Sequence, residues 1–166
     1  KKKTLILDPL QVDRKVKRMA IQIYEDNYEE EEIILAGIAD RGYQLAERLQ
    51  KELEEISEIR IKLLKMIINK DEPLLSKNNS GLSHKELNEK VVILIDDVLN
   101  SGKTLIYAAK MFLKFPLKKM RTAVLVNRGH HRFPIKVDFS GMNLSTMMKE
   151  NVSVEIKGDE WYVYLK

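Results

Sequence analysis

The stretch that most constrains how this chain can fold is residues 91–104, Val-Val-Ile-Leu-Ile-Asp-Asp-Val-Leu-Asn-Ser-Gly-Lys-Thr. Its first five residues are β-formers with no polar face, the pattern of a strand buried on both sides of a parallel sheet. The strand is expected to end on Asp96 and Asp97. Asn100, Ser101 and Gly102 follow, residue types that supply backbone N–H groups and positive φ, and then a helix-compatible run over 104–114. Strand, acids, small-residue turn and helix N-terminus in that order build an anion site, because the helix dipole and its unpaired N–H groups face the ligand. Carboxylates beside a bare phosphate would repel it. They fit a ligand that also carries sugar hydroxyls or a metal ion. An acidic helix cap after a core strand is the plainer explanation of the acids alone. The hydroxyls of Ser101 and Thr104 and the glycine in fixed order favour a ligand site. Gly102-Lys103-Thr104 resembles the end of a P-loop, but that motif requires glycine where Asp97 stands.

A second apolar run, residues 33–38, predicts a parallel strand beside the first. Ala39, Asp40, Arg41 and Gly42 then form a short loop into a helix expected over 43–56, with Leu45, Ala46, Leu49, Leu53 and Ile56 on one stripe. This is a second candidate anion site of the same construction. On residues alone, a routine βα turn with a surface Arg41 explains it as well.

Elsewhere, Asp8 before Pro9 marks a helix start, and Leu10, Val16, Met19, Ala20 and Ile23 recur at helical spacing. Arg14, Lys15, Lys17 and Arg18 make the opposite face basic, which reads as a solvated face before it reads as an RNA contact. The acids at 29–32 read as a solvated connection. Residues 59–68 predict an edge or hairpin strand interrupted by Arg60, Lys62 and Lys65. The polar, turn-rich segment 69–88 has the composition of a lid or a disordered loop, and its lone His84 reads as solvent-facing. The helix at 104–114 should bury Leu105, Ala108, Ala109 and Phe112 and end before Pro116. A strand over 122–127 leads to Arg128-Gly129-His130-His131-Arg132, at the strand end where open α/β sheets place ligand contacts. Adjacent histidines do not share a side, which argues against a metal pair. Segments 137–139, 152–156 and 161–165 read as short closing strands, with Trp161 in packing.

With 166 residues, no internal repeat and room for a substantial core, 1–166 reads as one domain. A formal charge of +4 suits phosphorylated ligands and is too small to establish nucleic-acid binding. The absence of cysteine excludes disulfides, thiolate chemistry and Cys-based metal sites. No run is long enough to span a membrane and no signal peptide opens the chain, so a cytoplasmic protein is expected. Lys1 is not an initiator Met, and a few residues are expected to precede it.

The stretch Ile95-Asp96-Asp97-Val98-Leu99-Asn100-Ser101-Gly102-Lys103-Thr104 resembles the phosphoribosyl-pyrophosphate (PRPP) motif of type I phosphoribosyltransferases. Residues 41–49 and 123–130 are similar to the branch that includes the bifunctional pyrimidine-operon attenuator and uracil phosphoribosyltransferase. The resemblance runs from Ile6-Leu7-Asp8 to the strand near Val154. It implies an α/β fold: an open, mostly parallel twisted sheet flanked by helices, with a small hood of short strands. It implies a pentosyl-group transferase of nucleotide salvage that joins PRPP to a nucleobase, uracil favoured, and releases pyrophosphate. By the same resemblance Asn100, Ser101, Gly102, Lys103 and Thr104 take the 5-phosphate. Asp96 and Asp97 take the ribose hydroxyls, and either carboxylate could meet Mg²⁺ carried by PRPP. Asp40, Arg41 and Gly42 hold pyrophosphate, the segment 69–88 closes over the substrate, and Val126, Asn127 and Arg128 lie near the base. A homodimer is expected. Two departures stand out. The branch enters its lid with Tyr-Arg-Asp-Asp, where this chain has Leu64, Lys65, Met66 and Ile67, so that only the positive charge of Lys65 survives. Its Val-Asp-Arg-Gly is here Val126, Asn127, Arg128 and Gly129. The alternatives are an RNA-binding attenuator that senses a pyrimidine nucleotide through the same pocket, disfavoured by Met142, Met147 and Met148, and a purine phosphoribosyltransferase.

Overall fold

A computed structural model of the chain describes residues 2–69, 84–147 and 149–166. Its centre is the apolar strand foreseen from residue 91 onward, β4 (Val91–Leu99), whose residues 91–96 are all buried. Around it lie β2 (Glu32–Ile38), β3 (Arg60–Met66), β5 (Lys119–Asn127) and β6 (Phe139–Asn143), in the order β3-β2-β4-β5-β6 and with every neighbouring pair parallel. Strand alternation divides the core. Val91, Ile93 and Ile95 face one layer with α1 (Pro9–Asn27) and α2 (Ala39–Ile56). Val92 and Leu94 face the other with α4 (Lys103–Leu113) and Leu87 of the short α3 (His84–Leu87). A three-stranded antiparallel hood, β1 (Thr4–Leu7), β8 (Glu160–Leu165) and β7 (Val152–Lys157), extends the first layer through Leu7, Val154, Trp161 and Val163.

Local chemistry explains the helix starts. Asp8 accepts the Gln11 N–H at 2.8 Å while Gln11 Oε1 accepts the Asp8 N–H at 2.9 Å, a reciprocal cap followed by Pro9. The buried stripe of α1 is Val12, Val16, Met19, Ala20 and Ile23, whereas Leu10 is exposed. Leu10 alone leaves the expected stripe, since the capping turn points it outward, and Val12 joins it. The basic face of α1 is not uniformly solvated. Arg18 donates to the carbonyls of Ser140 and Gly141 in β6, and Lys17 pairs with Asp13 at 3.0 Å.

Several strand limits differ from expectation. The acids expected to close a loop run into β2, which starts at Glu32. β5 begins at Lys119 rather than 122, because Lys119 and Arg121 are held by Asp26 at 3.0 and 3.1 Å. The strand expected at 137–139 is β6, shifted toward the C-terminus, and it belongs to the parallel sheet rather than the hood. The 69–88 segment lies from 70 to 83 outside the described residues. Trp161 is buried, with the Arg48 guanidinium 5.1 Å from its ring centroid.

Candidate functional site

β4 continues through the two acids to Leu99, beyond the expected end of the strand. Asp96 is buried and Asp97 half-buried. Asp96 Oδ1 accepts the Asp97 N–H, and Asp97 Oδ1 accepts the Val98 N–H, each at 2.9 Å. Adjacent strand residues send their side chains to opposite faces. Asp96 accordingly lines a cavity of about 60 Å³ with Asn100, Ser101, Gly102, Lys103 and Thr104, while Asp97 is not among its lining residues. Gly102 precedes α4 at φ 86, a left-handed conformation. A Cβ there would also lie 2.7 Å from Ile135 Cγ2. The Ser101 carbonyl accepts the N–H groups of Arg132 (2.8 Å) and Phe133 (3.1 Å), and the Ser101 hydroxyl accepts the Lys103 N–H at 3.2 Å. The turn is thus braced from outside by residues 132–135. The first-turn N–H groups of a helix have no intrahelical acceptors and point out of its N-terminus, here into the cavity rim.

The second strand–helix junction is tighter than the expected loop. Ala39 at φ 51 turns the chain straight from β2 into α2, which places Asp40, Arg41 and Gly42 in the helix's first turn. Gly37 and Gly42 permit this closeness. A Cβ on Gly37 would lie 2.4 Å from Tyr43 Cα, and one on Gly42 would lie 2.5 Å from the Ile95 carbonyl oxygen and 3.1 Å from Asp96 Cα. The two candidate anion sites therefore abut, with the start of α2 pressed against the acid-bearing end of β4. Arg41 Nη1 is buried with no hydrogen-bond partner among the described residues. Asp40 and Lys65, both exposed, form an ion pair at 2.8 Å, and Lys65 Nζ is 5.6 Å from the Tyr43 ring centroid. The hydrogen bond and the opposite charge hold the Asp40 carboxyl below its ordinary range and Lys65 above its own. Asp40, Arg41, Tyr43 and Lys65 share an open cleft of about 670 Å³ with Ile156 and Gly158 of the hood.

At the end of β5, the residues expected near a base are engaged inside the fold. Val126 is fully buried in the core. Asn127 Oδ1 accepts the Gly129 N–H at 3.0 Å, closing a turn in which Gly129 has φ 72. Arg128 is only 7% exposed; its Nη1 donates to Asn100 Oδ1 at 2.7 Å, its Nε to Thr146 Oγ1 at 3.1 Å and its Nη2 to the Glu150 carbonyl. His130 Nε2 lies 2.7 Å from the Thr146 carbonyl oxygen. His131 and Arg132 are exposed. Thr146, Glu150, Gly37 and Tyr43 were not singled out from the sequence. Only Gly37 carried a signal, as a glycine inside an apolar strand, which often marks close backbone approach.

Among the described residues no group of three or more His, Cys, Asp or Glu is placed to hold a metal ion. The donor at the phosphate cavity is the Asp96 carboxylate, which would suit Mg²⁺, an ion that usually binds through one or two carboxylates together with phosphate oxygens of a substrate.

A parallel sheet whose β4 and β2 ends carry adjoining anion-binding turns, roofed by a small hood, is the architecture of type I phosphoribosyltransferases. The phosphoribosyl transferase domain model matches residues 4–158, and the chain belongs to that family. Among its relatives, the Bifunctional protein PyrR of Haemophilus ducreyi is 38% identical over 157 residues, covering 90% of this chain and 88% of the relative. The Bifunctional protein PyrR of Pediococcus pentosaceus is 35% identical over 162 residues, covering 92% and 91%. Solved structures with the same fold include the hypoxanthine phosphoribosyltransferase of Trypanosoma cruzi, with a TM-score of 0.78, 14% identity and coverage of 96% of this chain and 95% of that one. A hypoxanthine-guanine phosphoribosyltransferase from Bacillus anthracis has a TM-score of 0.73 and 18% identity, with coverage of 86% and 82%.

Proposed function

We propose that the 166 residues act as one domain that binds PRPP and transfers its phosphoribosyl group to a nucleobase, uracil favoured, with release of pyrophosphate. The observation that carries this reading is the junction of the two turns. The Ile95 carbonyl and the backbone of buried Asp96, whose side chain lines the Gly102 cradle, press against Gly42 at the start of α2, where Arg41 Nη1 is buried with no hydrogen-bond partner among the described residues. A ligand with a phosphate at one end, a sugar in the middle and pyrophosphate at the other matches that order.

In this reading the N–H groups and hydroxyls of residues 100–104 take the 5-phosphate, and Asp96 and Asp97 accept hydrogen bonds from the ribose hydroxyls. Their negative charge also favours the cationic sugar of the transition state. Arg41 and Lys65 neutralise the departing pyrophosphate. Lys65 contributes a point charge where arginine would offer a bidentate fork, and it must exchange Asp40 for the ligand. Mg²⁺ bound to PRPP oxygens, near Asp96 or Asp97, would supply further charge neutralisation of the leaving group. The rest of the catalysis is positioning.

The test is PRPP-dependent pyrophosphate release with Mg²⁺ across uracil, hypoxanthine, guanine, xanthine and orotate. Turnover with uracil, falling at least tenfold in Asp97→Asn, is expected. No release from any base would remove the enzymatic reading, and an unchanged rate in the variant would remove Asp97 from the site. The purine alternative is answered by the same panel, since likeness to hypoxanthine enzymes at 14–18% identity concerns the fold alone.

The relatives are bifunctional by name, which keeps the attenuator alternative in view. On the α1 face Arg18 is turned to β6 carbonyls and Lys17 to Asp13, while Arg14 is exposed. Steeply salt-dependent binding of pyrimidine-leader RNA would establish it, and no binding at low salt would dismiss it. No helix of the described residues is long and apolar enough to cross a membrane. A homodimer remains the family expectation, tested by sedimentation.

A further inference from the structure

Lys65 stands where the related branch carries an arginine, and the exchange alters more than the shape of the charge. A guanidinium is planar and preorganised, whereas a lysine ammonium rides on a flexible stem and is ordered only by what it touches. Here Nζ is held from two sides, by Asp40 Oδ1 at 2.8 Å and by the ring of Tyr43, whose centroid is 5.6 Å away. The first partner competes with any phosphate for the ammonium. Both of its members are exposed, the setting in which an ion pair is weak and readily exchanged. The second partner can stay. A ring face attracts the cation without a charge of its own, so it can hold Nζ while N–H donors turn to ligand oxygens. The sheet brings the ring to this place. Lys65 is paired with Gly37 in the β2–β3 register, and a Cβ on Gly37 would lie 2.4 Å from Tyr43 Cα. The missing side chain at position 37 thus lets α2 set Tyr43 down beside the lysine. Tyr43 is half-buried and lines the same cleft as Asp40, Arg41 and Lys65.

We infer that Tyr43 is a positioning residue for the pyrophosphate end of the ligand, its ring face holding the Lys65 ammonium at the α2 turn once phosphate oxygens replace Asp40. The inference rests on the phosphoribosyltransferase reading. It supplies from a neighbouring side chain the order that an arginine carries in its own plane. Tyr43 acts wholly through Lys65, and through its ring rather than its hydroxyl.

The test is calorimetric titration of the full chain with pyrophosphate and, separately, with ribose 5-phosphate, which reports the Gly102 cradle, with Mg²⁺ present throughout. Tyr43→Leu is expected to weaken pyrophosphate binding about two- to fivefold, the worth of an exposed cation–π contact, and to leave ribose 5-phosphate binding unchanged. Tyr43→Phe, which keeps the ring, should bind pyrophosphate as the unaltered protein does. A ring-fluorinated phenylalanine at position 43 keeps the shape but drains the negative ring face, and should fall back to the Tyr43→Leu affinity. In a Lys65→Ala background Tyr43→Leu should have no further effect. Unchanged pyrophosphate affinity in Tyr43→Leu overturns the inference. Equal losses in Tyr43→Phe and Tyr43→Leu also overturn it, since they would put the hydroxyl on the ligand, and so does a Tyr43→Leu loss that persists without Lys65. If Tyr43→Leu fails to fold or loses both ligands in parallel, the fluorinated ring, which leaves the packing intact, decides: affinity equal to that of Tyr43→Phe overturns the inference. Failure of the unaltered protein to bind either ligand would instead strike the proposed function, and the inference with it.

Discussion

Gly42 shows how a residue can be singled out for one reason and be needed for another. In the sequence it looks like a glycine that lets a ligand approach the backbone, whereas in the fold the close neighbour is the protein itself, Ile95 and Asp96 of β4. Gly42→Ala should place a methyl carbon 2.5 Å from a backbone oxygen, which cannot turn aside as a side chain could. The helix start must move, at a cost of about 1–3 kcal/mol. A lowered denaturation midpoint in urea with an unchanged slope is the expected result, because the compactness of the unfolded state should not change. An unaltered midpoint would mean that α2 does not seat this closely on β4. PRPP affinity should fall in the same variant, since Arg41 and Asp40 ride on the turn that is displaced.

The hood offers an element-scale test, because its pairing is tied to the chain ends by charge. In β7, Glu155 accepts hydrogen bonds from Lys3 at 2.6 Å and Lys166 at 3.0 Å, and these hold its carboxyl down to about 2 from an ordinary 4.5. A depressed folded-state value means that the carboxylate's stabilisation is complete above pH 4.5 and is lost as the pH falls toward 2. Glu155→Gln should therefore be less stable than the unaltered protein at neutral pH, with the difference shrinking over that window and vanishing at its acid end. The single Trp161 of β8 reports the hood by fluorescence in denaturant titrations at each pH. A difference independent of pH would show that the two lysines do not act through the charge of Glu155. β2 and the first half of β4 were legible from the sequence, because uninterrupted apolar runs leave few alternatives to a buried strand; of the hood, β7 and β8 were legible as short β-former segments, whereas β1, four residues long, was not read as a strand. β6 was placed too early because Ser140, Gly141 and Asn143 lack strand character, and the pairing with β5 supplies what propensity does not. The start of β5 was hidden because Lys119 and Arg121 read as surface residues until Asp26 is brought beside them. In the candidate site, residues local to one turn could be read, while the Arg128–Asn100 and Lys65–Asp40 pairs span 28 and 25 positions and exist only through the sheet order.

At the scale of the whole molecule, both candidate anion turns lie at the C-terminal ends of neighbouring parallel strands, β4 and β2, where α/β sheets bind ligands. They belong to different core layers on their helix sides, α4 packing in one and α2 in the other. A ligand that spans the turns thus fastens layers on opposite faces of the sheet, and unfolding either layer requires releasing it. Ribose 5-phosphate and pyrophosphate should each engage one turn, and PRPP both. For a ligand bound only by the native state, a free concentration a hundred times the dissociation constant adds about 2.7 kcal/mol. In a 166-residue chain that corresponds to a rise of roughly 5–10 °C in the melting temperature. With equal concentrations of each ligand and Mg²⁺ present throughout, PRPP is expected to raise the melting temperature more than ribose 5-phosphate or pyrophosphate does alone. Lys65→Ala should reduce the PRPP and pyrophosphate shifts and leave the ribose 5-phosphate shift intact, because Lys65 reaches only the α2 turn. Equal shifts from PRPP and ribose 5-phosphate would mean that the α2 turn adds nothing to binding, and the site would then reduce to the Gly102 cradle alone.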